Sequence, residues 1–410
     1  MFLINPNGYF DLLKKHIVFV WELGGGLGHV AGFSPLAQAL INAGYQLSVI
    51  SQNVTSAAEI LDKLPIDIYQ APIYRQHTDK LEVTYSYPEI LLDLGYKSSA
   101  ELMPLVAAWQ NLLGLLKPDL VISDHSPSAL IACRILNLKK IMIGTGFFSP
   151  PHVSPLPLFV GTNLPDQKRL VDHERQMLLS INQVLDKSAT PPLKQVYELF
   201  HVEEDFLCTF AELDHYPERQ NSRYWGPRFD IDIGVNFTWS KSKTSKIFAY
   251  IKQDVPGFDA LLEALLTSKK NVVLYVPSAS KKTKQTCASY KNVVLLNAPA
   301  NMRQVLEQAD MIVCHAGHGV VSAALLHGKR LLLIPSQLEQ SMLVYLLAKQ
   351  RLVAAVNPRN DNNNYPKAIE FACTNAELGK NVELFQKKYA EFDSSKQLAE
   401  MVKSCAKILA

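Results

Sequence analysis

A short apolar strand that runs into a glycine turn and then a helix constrains the fold of this chain most. In the first half, His16–Trp21 (HIVFVW) has the branched and aromatic composition of a strand that is buried on both faces. Glycines at 24–28 break this strand, a helical pattern follows, and residues 45–51 (YQLSVIS) form the next predicted strand. This order predicts a βαβ unit, which requires a parallel sheet.

The same alternation continues to residue 144 and restarts in the second half of the chain. Residues 119–123 and 140–144 are further predicted strands of the first half, and helices are predicted over 126–136 and 170–185. In the second half, strands are predicted over 246–251, 271–276, 292–296, 311–315 and 330–335, with helices over 258–266, 302–308, 319–326 and 340–349. The segment between the two halves, which ends in the polar residues 240–245 (SKSKTS), is the best candidate linker.

The pattern therefore predicts an α/β protein with two doubly wound parallel-sheet domains that face each other across a cleft. The length of 410 residues agrees with more than one domain. We expect an N-terminal domain over 1–225, a second domain over 226–385 and a C-terminal helix over 386–410 that closes the molecule. An amphipathic helical pattern at 378–409 supports this last helix.

Composition excludes several classes of protein. The 41 basic and 38 acidic residues leave a net charge of +3, which gives no reason to expect nucleic-acid binding. Six cysteines lie far apart without a CxxC pair, which indicates reduced thiols and a cytoplasmic protein. No signal peptide is recognisable, and no run approaches 18 apolar residues, so we expect no transmembrane segment.

The first glycine turn raises the possibility of a dinucleotide site. Residues 26–31 (GLGHVA) match the pattern GxGxxA and have the expected strand and helix on either side. However, the second strand ends in residues 51–53 (SQN), which offer no acidic side chain to hold a ribose diol. The sequence therefore disfavours a nicotinamide cofactor.

Two residues at the carboxyl ends of the first predicted strands could act together in catalysis. His29 opens the first helix, where the helix N-terminus favours a neutral imidazole that can act as a general base. Asp124 ends another strand and could orient that imidazole through its second ring N–H. The alternatives are that both residues merely cap helices. Ser126 is not expected to be a nucleophile, because the chain contains no GxSxG sequence.

The second half contains a turn that suits an anionic ligand. Gly317 and Gly319 let a ligand approach the backbone, where free N–H groups at a helix start attract phosphate, and His315 and His318 could add donors. Further along, Glu339 and Gln340 are predicted on a loop after a strand. A carboxylate beside an amide suits sugar hydroxyls, and a solvated helix start is the alternative.

The metal signals are weak. Residues 230–232 (DID) spell the DxD pattern that can hold a nucleotide-bound cation, but they fall in the predicted linker. His315 and His318 are three residues apart without an obvious third ligand. We therefore predict no metal site.

Taken together, these segments resemble the GT-B fold inverting glycosyltransferases, in particular the UDP-glycosyltransferase-like family that acts on bacterial natural products and lipids. Residues 21–40 (WELGGGLGHVAGFSPLAQAL) are similar to the first strand and acceptor-side helix of that family. Residues 315–340 (HAGHGVVSAALLHGKRLLLIPSQLEQ) are similar to its donor-binding signature. The resemblance covers essentially the whole chain and implies two Rossmann-like domains, the first for the acceptor and the second for a nucleotide sugar.

The resemblance also implies roles for individual residues. His29 matches the general base and Asp124 its orienting carboxylate. The donor-binding positions match His315 for the diphosphate, Gly317 and Gly319 for the phosphate turn, and Glu339 with Gln340 for the donor sugar. Val320 stands where the family has a hydroxyl residue, which His318 is a candidate to replace. Ala323 stands where the family has a ribose-binding Glu, and residues 297–301 lack the aromatic that stacks on uracil.

The implied reaction transfers a sugar, with inversion, from a nucleotide-diphosphate donor, expected to be a UDP-sugar, to a hydroxyl of a small-molecule or lipid-like acceptor. Neither a cofactor nor a metal is expected, and peripheral membrane contact stays open. The candidate acceptor-binding residues are aromatic, and packing is the alternative for each one: Tyr85, Tyr87, Phe147, Phe148 and Phe159. Two other functions compete: a sugar-nucleotide epimerase of the same fold, and a catalytically silent protein that binds a nucleotide sugar.

Overall fold

The computed structural model describes residues 3–4, 10–11, 14–26, 28–75, 81, 83–159, 166–229, 234–240 and 243–410. It divides into two compact units, each made of more than one segment of the chain. The first unit comprises Met1–Cys208, Tyr216–Gly226 and Asp393–Ala410, and the second comprises Thr209–His215 and Pro227–Phe392.

The first unit contains a six-stranded parallel sheet. A separate antiparallel pair precedes it, formed by β1 (Leu3–Ile4) and β2 (Phe10–Asp11). The strands of the sheet are β3 (His16–Trp21), β4 (Gln46–Ser51), β5 (Asp67–Gln70), β6 (Leu120–Asp124), β7 (Lys140–Gly144) and β8 (Glu204–Leu207). Their spatial order is β5-β4-β3-β6-β7-β8, and every neighbouring pair is parallel.

Helices connect these strands. They are α1 (Gly28–Asn42), α2 (Val54–Leu61), α3 (Tyr87–Leu91), α4 (Ser99–Leu116), α5 (Pro127–Ile135) and α6 (Gln167–Lys187). The core between helices and sheet is apolar, because β3 and β6 bury nearly every residue. Among the described residues, no helix combines the length and the apolar character that crossing a bilayer requires.

The second unit repeats this arrangement. Its strands are β9 (Lys246–Tyr250), β10 (Asn271–Tyr275), β11 (Val293–Leu296), β12 (Met311–Cys314), β13 (Arg330–Leu333) and β14 (Ala354–Ala355), in the spatial order β11-β10-β9-β12-β13-β14. All neighbouring pairs are parallel. The helices are α7 (Phe258–Thr267), α8 (Lys281–Ala288), α9 (Met302–Gln308), α10 (His318–Leu326), α11 (Leu338–Lys349), α12 (Tyr365–Thr374) and α13 (Ala376–Lys388).

The strand order determines where each unit can bind a ligand. Both sheets have the doubly wound order: of the six strands in each sheet, the one that comes first in the sequence lies beside the one that comes fourth. The connections reverse direction at this pair, which opens a crevice at the carboxyl ends of the strands. In the first unit the pair is β3 and β6, and in the second it is β9 and β12. The predicted fold class is confirmed.

The C-terminal segment differs in detail from the predicted helix over 378–409. It forms two helices, α13 and α14 (Ser394–Leu409), because the side chain of Asp393 accepts the N–H groups of Ser395 and Lys396 and starts a new helix. α14 belongs to the first unit, where its apolar face joins the core beneath α1 through Met401 and Cys405.

Candidate functional site

His29 and Asp124 meet at the switch point of the first sheet. Asp124 is the last residue of β6 and pairs in register with Trp21, the last residue of β3, while His29 lies in the first turn of α1. His29 Nδ1 lies 2.7 Å from Asp124 Oδ1. Asp124 is almost fully buried, whereas His29 keeps 17% of its side chain exposed. Because the carboxylate accepts, Nδ1 carries the proton and the lone pair of the neutral imidazole is on Nε2.

The glycine loop between β3 and α1 fixes this imidazole in place. Trp21 stacks on His29 with ring centroids 4.9 Å apart, and its Nε1–H donates to the Leu23 carbonyl at 2.7 Å. Gly24 has a φ of +91°, and a Cβ at this position would lie 2.8 Å from His29 Nε2. Only glycine combines this backbone conformation with such a close approach to the ring.

A second histidine lies beside this pair and was not singled out from the sequence. His125 follows Asp124 with a φ of +46°, and its ring stacks on Phe148 at 4.6 Å, nearly parallel. Burial, and then the proximity of His29, lower the pKa of His125 to about 3. The imidazole is therefore neutral near pH 7. Its position one residue after a predicted catalytic carboxylate was the signal in the sequence.

Glu22 is another functional candidate that the sequence analysis missed. It follows β3 directly, is buried, and accepts the backbone N–H of Ser128 at the start of α5 at 3.0 Å. Burial raises the pKa of this carboxyl to about 7, and the hydrogen bonds from the helix start oppose that shift without cancelling it. The sequence feature that could have identified Glu22 is its place as an acidic residue between a buried strand and a glycine turn.

The predicted acceptor-binding aromatics are mainly core residues in this structure. Tyr87, Phe147, Phe148 and Phe159 are buried, and Phe147 stacks on Phe159 at 5.5 Å. Tyr85 is half-buried beneath the Arg169 guanidinium at 4.9 Å. Phe148 lies 5.8 Å from the His29 ring and Tyr87 lies 5.9 Å from the His125 ring. All five residues pack against other side chains, and Phe148 and Tyr87 also border the histidines.

In the second unit, the turn between β12 and α10 has the expected form. Ala316 adopts a φ of +60°, and Gly317 precedes α10 as its N-cap, with no side chain to cap the helix. The N–H groups of the first turn, from His318, Gly319 and Val320, have no partner within a helix that starts there. Such a helix start attracts an anion.

His315 is held by the protein on both ring nitrogens. Nδ1 donates to the Ile334 carbonyl at 2.9 Å, and Nε2 accepts the backbone N–H of Lys252 at 2.7 Å. The side chain thereby ties the ends of β9, β12 and β13 together, and burial lowers its pKa. The predicted contact of His315 with a diphosphate would require one of these bonds to break.

His318 also faces the protein. Its Nε2 shares a hydrogen bond of 2.8 Å with Thr209 Oγ1, and Nδ1 lies 3.4 Å from Ser322 Oγ. Burial, followed by the nearby His215 and Arg228, lowers the pKa of His318 to about 3. The ring is therefore a neutral part of the turn.

Glu339 and Gln340 do not lie on a loop as predicted, because they form the first turn of α11. Gln340 Oε1 folds back to accept the N–H of Ser336 at 2.9 Å, which satisfies a group at the helix start. Glu339 Oε1 lies 3.8 Å from Nε2 of the fully buried His215. His215 and Thr209 come from the short segment Thr209–His215, and no local pattern marked them.

The structure does not describe residues 230–233, so the DxD sequence lies outside the described residues. Within the residues that are described, no group of three or more His, Cys, Asp or Glu side chains could hold a metal ion.

Comparisons with known proteins agree with this architecture. Residues 245–400 match the family Glycosyltransferase family 28 C-terminal domain. No curated protein matches the sequence.

Several solved structures that are similar over nearly the whole chain are glycosyltransferases. The calicheamicin glycosyltransferase CalG4 is 16% identical, with a TM-score of 0.67 over 97% of this chain and 99% of that one. SnogD from Streptomyces nogalater is 13% identical, with a TM-score of 0.61 over 97% and 100%. SsfS6 from Streptomyces sp. SF2575, complexed with thymidine diphosphate, is 15% identical, with a TM-score of 0.58 over 96% and 100%. The similarity of fold and the domain match confirm the resemblance to GT-B glycosyltransferases that the motifs carried.

Proposed function

We propose that this chain, whose residues 245–400 match a glycosyltransferase domain and whose fold is that of GT-B glycosyltransferases, transfers a sugar with inversion from a nucleotide-diphosphate donor to a hydroxyl group, with His29 as general base. The observation that carries this proposal is the 2.7 Å hydrogen bond between His29 and the buried Asp124 at the switch point of the first sheet. The first unit would bind the acceptor and the second the donor.

His29 removes the acceptor proton as the acceptor oxygen attacks the anomeric carbon. Its Nε2 carries the lone pair, and the buried Asp124 stabilises the imidazolium that forms. General-base catalysis of this kind contributes about 10²–10⁴-fold to the rate. A direct displacement in one step inverts the configuration of the anomeric carbon.

The leaving diphosphate gains charge as the bond to the anomeric carbon breaks. The first-turn N–H groups of α10, from His318 to Val320, and the dipole of that helix stabilise this charge. We propose that these groups take the place of a metal ion, and that the reaction uses no cofactor. His315 would act by fixing the turn, since its ring nitrogens join the ends of three strands.

The donor is proposed to be a pyrimidine nucleoside diphosphate sugar. The sequence resemblance favours a UDP-sugar, while the SsfS6 structure contains thymidine diphosphate. Glu339 and Gln340, in the first turn of α11, are proposed to bind the donor sugar.

The acceptor is proposed to be a small-molecule or lipid-like hydroxyl compound. The described cysteines form no disulfide with one another, which supports the proposal that the protein works in a reducing compartment such as the cytoplasm.

A thermal-shift screen of UDP-, dTDP- and GDP-sugars tests the donor, because a ligand that binds only the folded protein raises the melting temperature. Transfer is then measured with the stabilising donor and a panel of hydroxyl acceptors, for the wild type, for His29→Ala and for His201→Ala. His201 is a matched control, because it is an exposed histidine of the same unit outside the site.

We expect His29→Ala to abolish transfer and keep the donor-induced shift, and His201→Ala to change neither. The assignment would be contradicted if His29→Ala kept the turnover of the wild type, or if it lost donor binding and not transfer. Donor turnover without an acceptor would identify an epimerase, and binding without transfer or hydrolysis would identify a silent protein.

A further inference from the structure

His125 has features that packing alone does not explain. Its φ of +46° lies in the left-handed region, which residues with a Cβ seldom occupy. The residue is only 7% exposed, and its Nε2 is buried without a hydrogen-bond partner among the described residues. Strained backbone and unpaired buried polar atoms both cost free energy, and they concentrate at functional sites.

The buried nitrogen identifies the tautomer of this ring. The pKa of His125, lowered by burial to about 3, makes the imidazole neutral at pH 7, so only one nitrogen carries a proton. An N–H buried without an acceptor is less tolerable than a lone pair in the same place. The proton of His125 is therefore on Nδ1.

Nδ1 of His125 and Nε2 of His29 lie on the same side of Gly24. The position that a Cβ of Gly24 would occupy lies 3.3 Å from the first nitrogen and 2.8 Å from the second. Asp124 holds the proton of His29 on Nδ1, so Nε2 of His29 is an acceptor. One ring thus presents a hydrogen-bond donor next to the acceptor presented by the other.

This pair matches a hydroxyl group, which both donates and accepts. We propose that His125 is a second residue that binds the acceptor hydroxyl, an inference that rests on the proposed function. The hydroxyl donates to His29 Nε2 and accepts from His125 Nδ1.

In the reaction, the acceptor oxygen forms a bond to the anomeric carbon while its proton moves to His29 Nε2. The bond from the anomeric carbon to the diphosphate oxygen breaks, and its electron pair leaves with the diphosphate. His125 keeps its proton throughout and stabilises the negative charge that develops on the acceptor oxygen.

The surroundings of His125 hold its ring in this orientation. Its carbonyl accepts the N–H of Leu23 at 3.0 Å, and its ring lies against Phe148 with an interplanar angle of 8°. Phe148 in turn packs on Gly144, where a Cβ would lie only 2.3 Å from the aromatic ring. The ring therefore has little freedom to rotate, as a preorganised donor requires.

The tautomer can be measured without any substrate. Long-range ¹H–¹⁵N spectra of protein labelled with ¹⁵N-histidine distinguish Nδ1–H from Nε2–H, and the His125→Phe variant assigns the signal. We expect the Nδ1–H form at pH 7. A neutral Nε2–H ring, or a charged ring, overturns the inference whether or not the protein transfers sugars.

Kinetics then test the role, with the donor found in the thermal-shift screen and with 4-methoxyphenol and 4-nitrophenol as acceptor probes at pH 8. His125→Phe keeps a ring for stacking on Phe148 and removes the donor. His125→Asn keeps a side-chain N–H near the position of Nδ1, and asparagine tolerates the left-handed backbone.

We expect His125→Phe to lower kcat/KM by about 10²-fold for 4-methoxyphenol, the loss typical of one oxyanion donor. The loss should be several-fold smaller for 4-nitrophenol, which is more acidic and needs less help to lose its proton. His125→Asn should restore most of the activity. Wild-type transfer in His125→Phe, or equal losses for both phenols, overturns the role. If the wild type uses no hydroxyl acceptor, the proposed function and the role of His125 fail together, whereas the wrong tautomer in a protein that transfers sugars overturns the role of His125 alone.

Discussion

Replacing Gly24 with alanine tests the placement of the His29 imidazole. The new methyl group would lie 2.8 Å from His29 Nε2, where an ordinary contact begins near 3.4 Å. Either the ring or the loop must therefore move by several tenths of an ångström. Because a displacement of about 1 Å at a catalytic group can cost about 10²-fold, we expect kcat to fall by at least about tenfold.

The same substitution also strains the backbone, and a second glycine separates the two effects. Gly26 has a φ of +86°, close to the +91° of Gly24, but a Cβ there would meet no atom of the described residues within 4 Å. A left-handed conformation costs a residue with a Cβ about 1–2 kcal/mol. Both variants should therefore lose similar stability, which for a unit of this size lowers the melting temperature by about 2–4 °C for each kcal/mol.

The assay compares kcat at saturating donor with thermal unfolding for Gly24→Ala and Gly26→Ala. We expect similar melting temperatures and a large loss of kcat in Gly24→Ala alone. Equal losses of kcat would mean that loop strain, and not the contact with Nε2, controls activity. Full activity in Gly24→Ala would refute the placement of the base at this nitrogen.

Three further predictions follow from named contacts. Asp124→Asn lets an amide reverse the tautomer of His29, so kcat should fall by about 10²–10⁴-fold while the donor still stabilises the protein; a fall below tenfold in steady-state assays would exclude Asp124 as the orienting group. Thr209→Val removes the partner of His318 Nε2, which should cost about 1 kcal/mol in urea unfolding and raise the donor KM. Thr267→Val on the exposed face of α7 is its control, and equal donor KM values in both variants would argue against a role in the turn. Burial raises the pKa of Glu22 from 4.5 to about 7, so the folded state keeps a proton that the unfolded state releases, and stability should fall by up to about 3 kcal/mol as pH rises from 4.5 to 7. Glu22→Gln should lack this fall when urea unfolding is compared at pH 5 and pH 8, and parallel pH profiles would show that Glu22 ionises normally.

Much of the fold could be predicted from the sequence, because hydrophobic periodicity and turn residues are properties of neighbouring residues. Runs such as residues 16–21 and 311–314 are apolar on both faces, and only a parallel sheet covered on both sides buries them. In the sequence, His29 and Asp124 each follow a predicted strand, and the carboxyl ends of parallel strands lie at one edge of a sheet. The two residues could therefore be paired although 95 positions separate them.

Other parts of the candidate site could not be predicted, because they depend on partners distant in the chain. His315 looks like a ligand-binding residue in the sequence, yet Lys252 and Ile334 occupy its ring nitrogens. Glu339 was predicted on a loop, but the helix starts one residue earlier, at Leu338. The aromatic residues Phe147 and Phe159 could bind or pack, and burial favours packing.

The sequence by itself determined the two βα halves, and it placed histidine, carboxylate and glycine residues at the ends of their strands. It could do so because the spacing of apolar residues that distinguishes helices from strands is a property of neighbouring residues. Only the tertiary structure decided which groups the ring nitrogens of His29 and His125 face, which carboxyl has a raised pKa, and that Thr209 and His215 join the turn of the second unit. These properties follow from burial and from contacts between segments far apart in sequence, which set the local dielectric and the hydrogen-bond partners of each group.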